Sequence, residues 1–209
     1  MKNLKSKKIT SLQELSHLKN TLNNHGVIGY PTETVFGIGC DPFDDIALQK
    51  VLTIKGRDFN KGLLVLITEK ATVSKYAKEI PPYALELMEK YWPGGVTFLF
   101  NARDELSPLL VGDKRLIGLR ISPHPIASFL SSMLPFGIVS TSANKSGEVT
   151  LTSAKEVRSV FGSAIDVVVD GSCGGGVASS VVDCSGEYPI LMRKGEVIPA
   201  GVIPAEAGI

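Results

Sequence analysis

The sequence predicts an α/β or α+β domain around one mixed, twisted sheet. Three observations carry that expectation. Apolar runs of strand length and helix-patterned runs are interspersed from end to end. Their connections are too irregular for a strict βαβ repeat. The 209 residues show no internal repeat and no linker long enough to divide the chain. One domain over 1–209 follows, with a motif-bearing core at about 9–197 and a Pro/Ala/Gly-rich, flexible tail over 198–209.

The elements follow in order. Ser11-Leu12-Gln13-Glu14 reads as a capping box, and Leu12, Leu15, Leu18 and Leu22 recur at helical spacing until Gly26 stops the helix. Val27–Tyr30 reads as a strand. Asp45–Ile54 predicts a helix with Leu48, Val51 and Leu52 inward, and Leu63–Ile67 a buried strand. Pro81-Pro82 opens a helix through Lys90. Trp92-Pro93-Gly94-Gly95 is a turn that releases a strand over Val96–Phe100. Leu116–Ile121 is a strand, Pro125–Met133 a helix and Gly137–Thr141 a strand. Ser153-Ala154-Lys155-Glu156 is a second capping box, for a helix to Phe161. Asp166–Asp170, Ser180–Cys184 and Ile190–Arg193 read as strands, with a glycine-rich loop over Gly171–Gly176.

Composition narrows the function classes. Hydrophobic residues are 44% and charged residues 21%, as in a folded domain. A net charge of +1 argues against a protein that coats nucleic acid, though a local basic groove stays open. No apolar run approaches the ~18 residues of a membrane span. The basic start, Met1–Lys8, leads into no apolar segment of a secretion signal. Three cysteines, Cys40, Cys173 and Cys184, without a Cys-x-x-Cys, indicate neither a disulfide framework nor a zinc ribbon and suit a reducing cytoplasm.

Three segments carry chemistry. Tyr30–Gly39 wedges Thr32, Glu33 and Thr34 between apolar residues and adds two spaced glycines, as for a backbone held close to a ligand. Glu33 there orients a cation or a metal ion, or bonds its own loop's backbone. Lys55-Gly56-Arg57 share a face if the chain is extended and can then neutralise phosphate oxygens; a solvated helix end accounts for the same two cations. Ser140-Thr141-Ser142-Ala143-Asn144 sets hydroxyls and an amide at a strand tip, where open α/β sheets place their sites, or simply serves a turn. Arg120, inside an apolar strand, is either a carboxylate clamp or an arginine on an open face, and Arg193 is equally ambiguous.

Other signatures are absent. No Gly-x-x-x-x-Gly-Lys-Ser/Thr occurs, and Gly174–Ser179 misses the dinucleotide fingerprint. His17, His25 and His124 form no metal-ligand spacing. No cysteine has a neighbouring base to make it a nucleophile. Adenylyl transfer needs none: it needs a triphosphate held, its charge neutralised, and a carboxylate aimed at the α-phosphorus, for which cations, hydroxyls and Mg²⁺ suffice.

In this order, Tyr-Pro-Thr-Glu-Thr at 30–34, Lys-Gly-Arg at 55–57, Trp-Pro-Gly at 92–94, Gly-Leu-Arg at 118–120, Ser-Ala-Asn-x-Ser-Gly at 142–147 and Ser-Val-Val-Asp at 180–183 resemble the YrdC/TsaC family, the threonylcarbamoyl-AMP synthases, in their single-domain form. The likeness runs from about Val27 to about Arg193. It implies a twisted mixed sheet flanked by helices with a concave positive cleft. It implies condensation of L-threonine, bicarbonate or CO₂, and ATP into threonylcarbamoyl-AMP and pyrophosphate. That product feeds N6-threonylcarbamoylation of adenosine in tRNA by a downstream transfer complex. By the resemblance, Lys55, Arg57, Ser142 and Asn144 form the catalytic cluster. Lys55, Arg57, Lys61, Ser140, Thr150 and Arg193 bind ATP with its Mg²⁺, and no protein metal site is implied. Thr32 or Thr34, Arg120, Ser142 and Ser180 hold threonine.

Some positions depart from the family pattern. Asp58 and Gly62 stand where prolines are common, Phe36 for tyrosine, Gly95 for proline and Ser180 for threonine. Asp58 places a negative charge beside Arg57 and weakens the local field on phosphate. Two rival readings remain: a non-catalytic module binding double-stranded RNA or tRNA in the same cleft, and the carbamoyl-adenylate-forming domain of a hydrogenase-maturation enzyme. The zinc-finger cysteines of the latter are missing here.

Overall fold

The computed structural model describes residues 12–56, 60–175 and 177–205. Six α-helices are described: α1 (Leu12–Asn23), α2 (Asp45–Lys55), α3 (Pro82–Tyr91), α4 (Pro108–Val111), α5 (Pro125–Ser131) and α6 (Ala154–Phe161). Ten strands are β1 (Ile28–Pro31), β2 (Phe36–Gly39), β3 (Leu64–Leu66), β4 (Val96–Asn101), β5 (Leu116–Arg120), β6 (Ile138–Ser142), β7 (Val167–Val168), β8 (Ser180–Asp183), β9 (Ile190–Arg193) and β10 (Ile203–Pro204). They form one mixed sheet in the order β10-β9-β8-β4-β5-β3-β6-β2-β1-β7. Parallel pairs (β3/β5, β4/β8, β1/β7, β9/β10) are interleaved with antiparallel ones.

Side-chain alternation along the strands explains where the helices sit. Val65, Phe98, Phe100, Ile117, Leu119, Val139 and Val182 enter one core with α2, α3, α4 and α6. Leu66, Ile138, Ile28 and Tyr30 point the other way, into a smaller core with Leu18 and Leu22 of α1 and Leu130 of α5. The two helices cover only the end of that second face nearest β1. Further along, its residues are Leu64, Gly118, Leu99, Ser140, Arg120 and Val181, and these line an open cleft. The cleft is the part of the sheet left uncovered.

Local chemistry sets the element ends. Asp44 caps α2 by accepting from the backbone N–H groups of Ile46 and Ala47, and Gly56, in the left-handed region at φ 54°, ends it. At α6 the expected capping box is present: Ser153 accepts from Glu156 N–H while the Glu156 carboxylate accepts from Ser153 N–H. The capping box expected at Ser11 lies outside the described residues. Several elements differ from the sequence reading, among them a short 3-10 helix at Lys70–Lys75 and a strand β7 of only two residues. Phe36–Gly39 is strand β2, hidden by two glycines of poor strand propensity. A Cβ at Gly39 would stand 2.0 Å from Val139 O, so that glycine serves close packing of β2 on β6. Helix α4 is a single turn, too short for a periodic signal. The tail is bonded as far as it is described: Ala200 N–H donates to the Tyr91 hydroxyl (2.8 Å), and Ile203 and Ala205 N–H donate to Pro189 and Leu191 carbonyls. Among the described residues no helix is long and apolar enough to cross a membrane.

Candidate active site

The cleft encloses about 670 Å³, within the range of small-molecule sites. Nine of the residues expected at a site line it: Thr32, Thr34, Lys61, Arg120, Ser140, Ser142, Asn144, Thr150 and Arg193. Four cations, Lys61, Lys114, Arg120 and Arg193, face one carboxylate, Asp183, among its lining residues, so the hollow is positive.

The loop after β1 is tied to itself. Thr32 Oγ1 donates to Val35 O (2.7 Å), accepts from the N–H groups of Thr34 and Val35, and lies 3.0 Å from Thr34 Oγ1. That network buries both threonines while keeping them on the cleft wall. Glu33, from the same loop, resolves one alternative left open by the sequence. Its carboxylate accepts from the Ser122 hydroxyl, and its Oε1 is 3.3 Å from Arg120 Nε. Glu33 therefore orients Arg120. The pair is at ion-pair distance without an aligned hydrogen bond, and both atoms are buried.

Arg120 reaches the cleft at the end of β5. Burial pushes its pKa down, opposed by the charge of Glu33. Arg193, at the end of β9, is also pushed down, first by burial and then by the charge of Arg120. Two guanidiniums that repel across a cleft make a favourable seat for an anion. Arg193 is held by donating to Ser179 O (2.9 and 3.1 Å) and to Ser179 Oγ (3.2 Å), and Ser179 Oγ in turn lies 2.9 Å from Thr97 Oγ1.

Strand β6 delivers Ser140 and Ser142, and the turn beyond it delivers Asn144. Ser142 Oγ donates to Asn144 Oδ1 (2.7 Å). Thr150 comes back to the cleft because Leu151 N–H donates to Ala143 O (3.0 Å) and Phe36 N–H to Leu151 O (3.3 Å). Lys55 differs from expectation. Its ammonium points at this turn, donating to Ser142 O, Asn144 O and Asn144 Oδ1. The last turn of α2 packs beside the turn after β6, with Ser146 N–H donating to Lys55 O.

Ser180 is brought close but not into the lining. It is fully buried, and its hydroxyl donates to Val197 O and accepts from Gly195 N–H, which pins the segment after β9. Arg57 and Asp58 lie outside the described residues. The far foot of their loop is anchored where Gly62 crosses Gly112: a Cβ on Gly62 would meet Val111 O at 2.7 Å, and one on Gly112 would meet Asn60 O and Gly62 N at 2.6 Å. Leu63 N–H donates to Leu110 O there (2.7 Å).

Several lining residues escaped the sequence: Asn60, Thr97, Lys114, Ser179 and Asp183. Thr97 was open to detection, since it alternates with the core residues Val96 and Phe98 and so shares the opposite face. Lys114 gave no signal, because only the crossing of the glycine-bearing loops brings its turn to the rim.

Comparisons with known proteins agree with this fold. The Sua5/YciO/YrdC family model, described as "Telomere recombination", matches residues 20–195. The threonylcarbamoyl-AMP synthase of Coxiella burnetii (strain RSA 493 / Nine Mile phase I) is 36% identical over 162 residues, 78% of this chain and 87% of that protein. Among solved structures, P. abyssi Sua5 complexed with L-threonine superposes with a TM-score of 0.86 at 27% identity. The match covers 92% of this chain and 59% of that one, so the chain spans less than two thirds of that relative. E. coli YciO matches in fold with a TM-score of 0.82 at 23% identity, over 90% of this chain and 92% of that one.

Proposed function

The chain belongs to the Sua5/YciO/YrdC family, and from that premise we propose that it is a threonylcarbamoyl-AMP synthase. It condenses L-threonine, bicarbonate or CO₂, and ATP. The observation that carries this reading is the convergence of Thr32, Thr34, Arg120, Ser140, Ser142, Asn144, Thr150 and Arg193 on one positive cleft. The curated relatives named for that activity support it.

In this reading Arg120 takes the threonine carboxylate, with Thr32, Thr34 and Ser142 around the rest of the amino acid. Arg57, Lys61, Ser140, Thr150 and Arg193 take the nucleotide, and Asn144 holds the turn that carries Ser142. Threonine and bicarbonate give N-carboxy-threonine with loss of water. A carbamate oxygen then attacks the α-phosphorus, the new P–O bond forms, and the bond to the β-phosphate breaks with its electron pair leaving on pyrophosphate. The residues do this by holding the reactants in line and matching the charge that moves to the leaving group.

Mg²⁺ supplies further charge neutralisation when it arrives on the triphosphate. Among the described residues no group of three or more His, Cys, Asp or Glu is placed to hold a metal ion. The cleft's hydroxyls and cations fit phosphate oxygens, which would carry the ion. The three free thiols suit a reducing cytoplasm. There the product would pass to a complex that modifies tRNA.

Incubating the purified protein with ATP, Mg²⁺, bicarbonate and each of several amino acids tests the proposal. Threonine-dependent formation of an acyl-adenylate and release of pyrophosphate are expected. Salt-sensitive RNA binding with no ATP consumption would instead support the RNA-binding module.

A further inference from the structure

Lys55 is 3% exposed, and its ammonium has three protons to give. Three oxygens of one turn lie within reach: Ser142 O at 2.5 Å, Asn144 O at 2.8 Å and Asn144 Oδ1 at 3.0 Å. The orientation of the Asn144 amide is fixed by its partners, since its Nδ2 donates to Glu148 O (2.7 Å) and only its oxygen can face an ammonium. The same Oδ1 accepts the Ser142 hydroxyl proton (2.7 Å). Ser142 has one proton, and it is committed. What that hydroxyl turns toward the cleft is lone pairs.

We propose that Lys55 is a positioning residue for the amino-acid part of the cleft, and that it fixes Ser142 as a hydrogen-bond acceptor toward a substrate N–H or O–H. The inference rests on the function proposed above and gives Lys55 a different part from the phosphate contact that the family resemblance implies. A phosphate oxygen is an acceptor and gains nothing from a serine whose proton is directed elsewhere. The N–H of an amino acid or its carbamate, or a side-chain hydroxyl, is the complementary partner. Lys55 keeps that polarity in force. It holds Oδ1 in place as the sink for the serine proton, and it closes the 142–144 turn through two main-chain carbonyls. In this arrangement its described hydrogen bonds go to the turn and not to the cleft.

The test is calorimetric titration of L-threonine and of Mg²⁺-ATP, each alone and without bicarbonate, so that nothing turns over. The proteins are wild type, Lys55→Met, Ser142→Ala and the double variant. Lys55→Met is expected to weaken threonine binding by about 10- to 100-fold and ATP binding by less than about threefold. The double variant should bind threonine about as poorly as the worse single one, because both substitutions remove the same contact. ATP affinity falling as far as threonine affinity, or losses that add, would overturn the proposal. If circular dichroism shows Lys55→Met unfolded, Asn144→Ala carries the same test, since it removes the acceptor that orients Ser142. Threonine loss with ATP retained then supports the proposal, and ATP loss refutes it. Wild-type protein that binds ATP but no threonine would instead remove the proposed function itself.

Discussion

Arg120 was visible in the sequence as a charge inside an apolar strand, but its partner was not. The pairing with Glu33 spans 87 residues and exists only because β5 ends beside the loop after β1. The side chains are 4% and 16% exposed, so removing one leaves a buried charge alone, which costs about 3–5 kcal/mol. Glu33→Ala should lower the unfolding free energy by about 3 kcal/mol in urea titrations and raise the KM for threonine through a disordered Arg120. A stable variant with unchanged threonine dependence would count against the orienting role. Arg57 stands at the opposite extreme, legible in the sequence beside Lys55 and outside the described residues. Arg57→Ala should abolish threonine-dependent pyrophosphate release; wild-type-like release would remove it from the nucleotide site.

Among the elements, those with strong local signals were read correctly. Helix α6 has a complete capping box, α2 an apolar stripe and a glycine stop, and β3, β4 and β5 are apolar runs between turns. Strand β2 and helix α4 were missed for opposite reasons. The glycines of β2 mask a strand that tertiary packing demands, and α4 is too short to show a period. The crossing of the 60–62 and 110–113 loops is a purely tertiary feature. It explains Gly62 in place of a cyclic residue, since a side chain there meets Val111 O. Gly112→Ala combines a backbone at φ 65° and ψ −174° with contacts at 2.6 Å. It should cost about 1–3 kcal/mol in denaturant titrations and raise the KM for ATP by displacing Lys61. Gly56→Ala is the control: its φ is 54° but a Cβ meets nothing within 4 Å. The loss there should be about 1 kcal/mol. Equal losses at the two positions would show that the crossing is not tight.

For the whole molecule, the sequence pattern predicts the mixed sheet, the family resemblance implies the positive cleft, and the ten-stranded order comes from the structure. Strand order follows from long-range pairing that no local pattern encodes, such as β4 beside β8. Burial also gives the molecule a pH limit. It pushes the thiols of Cys40 and Cys184 and the phenols of Tyr30 and Tyr76 upward, Cys184 to about 12. The unfolded chain releases these protons from pH 9.0 for the thiols and 10.0 for the phenols, whereas the folded chain keeps them. Folding is therefore fully favoured by these groups below the unfolded values and loses that contribution as pH rises toward the folded ones. The urea midpoint should be level up to about pH 8.5 and fall above about pH 9. A midpoint that rises there would contradict the burial of these groups.

The outermost strand has one more effect. Ile203 and Ala205 turn their N–H groups inward to β9, so position 204 faces away from the sheet, and it is a proline. The rim consequently lacks the amide that a foreign polypeptide would need to extend the ladder. Ile190, Met192 and Ile203 are exposed along this margin, and the proline makes it a poorer template for an added strand.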